Sequence, residues 1–115
     1  MIEAELYTHL STNVTSVSGR VYPQIMSQGC AKPALVYTII NDRDECGASG
    51  CVAASVARIQ IDVYATDDLL ARQIRDEVKS ALYSFAYHPI DLNTMDGFVE
   101  ETELSRQIID FKIRR

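Results

Sequence analysis

The chain has 115 residues, a formal net charge of −5, 47% hydrophobic and 23% charged residues. That is the size and balance of one domain, residues 1–115, with a core of its own, and it excludes wholesale disorder. The acidic surplus excludes a protein that grips phosphate backbones with a basic stripe, though not a surface past which DNA moves.

No apolar run approaches the ~18 residues of a membrane span. The opening Met1-Ile2-Glu3-Ala4-Glu5 lacks the basic and apolar regions of a signal peptide, so neither secretion nor membrane insertion is expected. Cys30, Cys46 and Cys51 make an odd count, which suits free thiols in a reducing compartment better than a disulfide scaffold.

In chain order, Ile2, Leu6 and Leu10 recur at helical spacing, and Ser11-Thr12-Asn13 ends that helix. Arg20-Val21-Tyr22 is a short extended piece closed by Pro23. Residues 23–33, with Pro23, Gly29 and Pro33, read as a loop. Ala34 to Asn41 is β-branched and aromatic and predicts a strand partly buried on both faces. Polar Asn41-Asp42-Arg43-Asp44-Glu45 follows, then Cys46-Gly47-Ala48-Ser49-Gly50-Cys51 as a hairpin tip or mobile loop. From Ala53 to Ala65, Arg58, Gln60, Asp62 and Tyr64 alternate with Ala57, Ile59, Ile61, Val63 and Ala65, a strand with one polar and one apolar face. Thr66 or Asp67 caps a second helix running to about Phe85, with Leu70, Ile74, Val78, Ala81, Leu82 and Phe85 as its apolar stripe. Asp91 to Gly97 reads as polar loop, Phe98 to Leu104 as a weak acidic strand. In the last strand, Gln107, Ile109, Phe111 and Ile113 face a core, and Arg106, Ile108, Asp110, Lys112 and Arg114 face away. The predicted order is α-β-β-β-α-β-β: an α+β domain whose mainly antiparallel sheet carries two helices on one face.

No phosphate-binding glycine loop, nucleophile elbow, HExxH or CxxC is present, so the residues name no cofactor. Zinc on Cys30, Cys46 and Cys51 would need a fourth ligand from distant His9, His88 or a carboxylate; two thiols bracketing a small-residue loop is the simpler reading. Nothing orients His9 or His88 toward a thiol, and His88 before Pro89 suits a helix end. Asp42/Asp44/Glu45 and Glu100/Glu101/Glu103 lack calcium-loop spacing and read as solvated acidic surface. Tyr64 is the unusual aromatic: beside Arg58, Gln60 and Asp62 it marks a strand face suited to a protein contact.

The succession Leu6-x₃-Leu10, Gly19-Arg20-Val21-Tyr22-Pro23, Pro33-Ala34-Leu35-Val36-Tyr37 and Arg58-Ile59-Gln60-Ile61-Asp62-Val63-Tyr64-Ala65, with Ile74, Val78, Ala81 and Leu82 after it, resembles the small tail-completion or tail-terminator proteins of long-tailed bacteriophages and prophages. The resemblance covers nearly the whole length. It implies an α+β subunit of a ring, usually hexameric, on top of the tail tube. Such a ring ends tube polymerisation and presents the surface that joins tail to head. The implied partners are further copies of the chain, the tail-tube protein and a head-side connector protein. DNA is passing cargo only, no membrane or cofactor is involved, and no enzyme activity is implied. The implied locations are the host bacterial cytoplasm during assembly and then the virion tail.

A head-to-tail ring needs two different complementary patches on each subunit. The candidates are the polar strand face (Arg58, Gln60, Asp62, Tyr64) and the acidic arm (Asp42, Arg43, Asp44, Glu45). An acidic lumen would repel DNA and keep it moving. Two other readings compete. One is a different head–tail connector or neck protein. The other is a small ligand-binding α+β dimer, which would need Cys30, Cys46, Cys51 and His88 to converge on a pocket.

Overall fold

The computed structural model describes residues 2–17, 20–23, 33–46, 52–99 and 104–114; for 2–3, 42–46, 52–54 and 98–99 the description is of backbone alone. The elements are α1 (Ile2–Asn13), a 3-10 turn (Thr15–Val17), β1 (Val21–Pro23), β2 (Ala34–Cys46), β3 (Val52–Ala65), α2 (Asp68–Tyr83), β4 (Pro89–Val99) and β5 (Leu104–Arg114). The strands form one sheet in the order β1-β2-β3-β5-β4. β1 runs parallel to β2, and every other pairing is antiparallel. Fold class and element order match the expectation from sequence.

The period of two along β3 and β5 builds the core. Ile59 lies opposite Phe111, Ile61 opposite Ile109 and Val63 opposite Gln107, all buried on the face that α2 covers. β2 adds Leu35 and Tyr37 to the same layer. Both faces of β2's first residues are buried: Ala34 and Val36 are enclosed as well as Leu35 and Tyr37.

α2 begins where Asp67, in an extended conformation, accepts a hydrogen bond from the Leu69 N–H at 3.3 Å. Ala71, Ile74, Val78, Ala81 and Leu82 then recur every three or four residues and bury against β3 and β5. Each fully buried Leu or Ile contributes about 1.5–3 kcal/mol. α1 lies against α2 through Leu6 and Leu10, followed by buried Val14 and Val17. The Glu77 carboxylate of α2 pins the 3-10 turn, accepting from the Ser16 N–H at 3.2 Å and the Thr15 hydroxyl at 3.4 Å.

Several boundaries differ from the sequence reading. α1 continues through Ser11-Thr12-Asn13, and Asn13 Nδ2 donates to the His9 carbonyl at 2.8 Å. α2 stops at Tyr83, yet Phe85 still packs in the core. β2 runs on through the polar residues to Cys46, with a bulge between Ile39 and Asn41. The largest correction concerns Asp91–Gly97, which is the interior of β4 and not a loop. Its polarity belongs to an outermost strand, and its exposed Asp96 meets Arg72 of α2 at 3.1 Å. A bulge between Ile90 and Asn93 sets Asp91 at φ 54°, a left-handed conformation that aspartate tolerates better than most residues. The expected strand from Phe98 to Leu104 is divided: β4 ends at Val99 and β5 begins at Leu104. The loop over 24–32, Cys30, Cys51 and Glu100/Glu101/Glu103 lie outside the described residues.

Candidate assembly surfaces

Among the described residues no helix covers the second face of the sheet, where Ala34, Val36 and Asp62 are buried and Arg58, Gln60 and Tyr64 are not. There, the register sets Arg58 beside Lys112, Gln60 beside Asp110, Asp62 beside Ile108 and Tyr64 beside Arg106. Two cations directly opposite each other are unfavourable, and the charges resolve along diagonals instead. Arg58 grips Asp110 with two hydrogen bonds, Nε to Oδ1 at 3.2 Å and Nη2 to Oδ2 at 2.7 Å. Arg106 Nη2 donates to Asp62 Oδ2 at 3.0 Å, and Gln60 Nε2 donates to Asp62 Oδ1 at 3.1 Å. The Arg106 guanidinium also sits 5.8 Å from the Tyr64 ring centroid.

These contacts set the electrostatics of the face. Asp110 raises the Arg58 pKa further above its ordinary value, first by its hydrogen bonds and then by its charge. Burial, with the Asp62 charge, raises the Tyr64 phenol, and Arg106 partly opposes this. Asp62, expected on an outward face, is 6% exposed. It therefore holds its neighbours Arg106 and Gln60 in place, while Arg58, Gln60 and Tyr64 remain within reach of a partner. Among the described residues no group of His, Cys, Asp and Glu is arranged to hold a metal ion.

At one end of this face a ribbon projects. β5 ends with Arg114 opposite Val56, and past that point Asp44–Cys46 and Val52–Ser55 pair only with each other among the described residues. The molecule measures 52 × 26 × 23 Å. Asp42, Arg43, Asp44 and Glu45 lie along the ribbon, opposite Ala57, Val56, Ser55 and Ala54. A hollow of about 210 Å³ lined by Asn41, Val56, Arg58 and Lys112 joins its base to the polar face.

Residues 4–114 match the family model described as tail completion protein gp17. The chain belongs to that family. It is thus a structural protein of phage-type virion tails. Its fold is similar to that of a chain in a solved structure titled "Virion of native gene transfer agent (GTA) particle". The TM-score is 0.76 at 18% identity, over 98% of this chain and 92% of that one. No curated protein matches.

The helical side of this tail completion protein explains both histidines without chemistry. His9 Nε2 donates to the Ala81 carbonyl at 2.6 Å, near the C-terminal end of α2, and Asn13 Nδ2 lies 3.3 Å from Nδ1. The ring stacks 4.9 Å from Phe85, so His9 ties α1 to the end of α2. His88 is exposed, with its ring 6.3 Å from Tyr83. Sequence reasoning missed a polar cluster between α2 and β4. Arg72 bonds Asp68 at 3.0 Å and Asp96 at 3.1 Å, and Arg75 donates to Gln107 Oε1 at 3.1 Å. The Asp96 carboxyl is held below its ordinary value, first by the Gln107 amide opposite it and then by the Arg72 and Arg75 charges, against some desolvation. Gln107 Nε2 nonetheless lacks a hydrogen bond of good geometry, so its effect on Asp96 is one of proximity. The residue spacing of α2 placed Arg72 and Arg75 off the apolar stripe, but only the register of β4 brings Asp96 to them.

Proposed function

We propose that this chain assembles head to tail into a ring of six that caps the phage tail tube, ends its polymerisation and offers the surface that joins tail to head. The observation that carries the reading is the family match over residues 4–114, nearly the whole chain. The geometry supports it. The uncovered sheet face and the projecting ribbon are chemically different surfaces, as a closed ring of identical subunits requires. On this reading Arg58, Gln60 and Tyr64 face one neighbour, with Asp62 fixing their arrangement, and Asp42, Arg43, Asp44 and Glu45 reach another. The remaining partners are the tail-tube protein and a head-side connector protein. DNA passes through the opening without being held, and the role involves no turnover. Assembly takes place in the host bacterial cytoplasm.

Light scattering coupled to size exclusion, over a concentration series with and without tail-tube protein, tests the proposal. Ring-sized species are expected for the native chain, and fewer of them for Arg58→Glu at unchanged circular dichroism. A monomer that ignores tube protein at every concentration would overturn it. Binding to a portal-side protein instead of the tube would favour the neck reading.

A further inference from the structure

Among the described residues both edges of the sheet are open along part of their length. Among the described residues β1 accompanies β2 only from Leu35 to Tyr37, because Pro23 ends β1 there. Among the described residues no strand lies beside the outer edge of β2 from Thr38 to Cys46 or beside the outer edge of β4. An open edge carries a row of unpaired backbone donors and acceptors and is a template for another strand. Three exposed large apolar side chains sit on these two strands: Ile40 at 45% on β2, and Ile90 at 41% and Met95 at 43% on β4.

Direction decides what such edges can accept. β2 is antiparallel to β3, β3 to β5 and β5 to β4, so β2 and β4 run in opposite senses. A second copy in the same orientation would bring its β2 antiparallel to the first copy's β4, continuing the alternation without inverting the subunit. Past their bulges both strands offer an edge of several residues: Asn41–Glu45 on β2, followed by a second register shift before Cys46, and Asn93–Val99 on β4. Charge selects between possible pairings. Asp42, Arg43, Asp44 and Glu45 give the β2 stretch a negative surplus, so two such arms repel when paired. The β4 stretch carries Asp96 alone, already met by Arg72 at 3.1 Å.

We infer that β4 of one copy adds as a strand to the β2 arm of the next, through Asn93–Val99 and Asn41–Cys46, making one sheet continuous from subunit to subunit. The inference rests on the ring reading and adds the β4 edge, beyond the polar face named above, as the surface that receives the arm. The same operation repeated gives a closed ring if its rotation closes.

Cross-linking tests it on the full chain with Cys30→Ser and Cys51→Ser, keeping Cys46 and adding Asn93→Cys at the antiparallel-matched end of β4. Under mild oxidation at concentrations where rings form, a ladder of covalent multimers is expected. The same chain with Cys46→Ser should give none. Met95→Lys, which charges the same edge, should lower the assembled fraction on the order of tenfold at unchanged circular dichroism. Rings by light scattering without a ladder would overturn the strand pairing and leave the ring reading standing. Dimers that persist with Cys46→Ser would mean β4-to-β4 pairing and would also overturn it. Absence of any assembly, with or without tail-tube protein, would overturn both.

Discussion

The two faces of one sheet are held together by different physics. On the covered face Ile59, Ile61, Val63, Ile109, Phe111 and Ile113 are buried beneath α2, and burial of apolar area does the work. On the face away from the helices the same two strands carry Arg58–Asp110, a largely exposed pair that adds little to stability, and Arg106–Asp62, whose carboxylate is buried and depends on its partner. The comparison teaches that β3 and β5 serve two ends with alternate residues. One face folds the subunit, and the other leaves it a defined, charge-balanced surface to present.

Substitutions can break this division, the covered face showing the largest effect. Phe111→Ala, at 1% exposure, should cost about 3–5 kcal/mol in a urea melt. Asp62→Ala comes next, since it strips Arg106 of its carboxylate at a site that is itself 6% exposed. About 1–3 kcal/mol is expected, discounted for the partial exposure of Arg106. That loss should shrink in an Arg106→Met background, the signature of a coupled pair. Arg58→Glu should leave subunit stability nearly unchanged yet reduce assembly, and the swap Arg58→Asp with Asp110→Arg should recover it. An unfolded Arg58→Glu chain would place this residue with the core and erase the distinction.

The smallest effect is one of pH. The folded-state pKa of Asp96 is lowered from 3.8, so its contribution is complete above that ordinary value and is lost as pH falls through the lower folded value. A carboxyl titration by NMR should place Asp96 below an ordinary aspartate, and Arg72→Gln should move it upward.

Strict alternation along Ala57–Ala65 and Gln107–Ile113 made β3, β5 and both their faces legible before any coordinates. The helical stripe of α2 and its Asp67 cap were equally plain. β4 was not, because Asp91, Asn93 and Asp96 look like loop residues until Arg72 and the bulge at Asp91 explain them. Alternation also could not say that Asp62 is buried and held by Arg106 and Gln60, since those bonds depend on a register that sequence does not set.

Tail-tube protein polymerised with and without this chain, and imaged by electron microscopy, tests the central claim most directly. One ring-shaped density at a tube end and no further growth from that end are expected. Tubes that keep elongating, with no added density at either end, would contradict the terminator role.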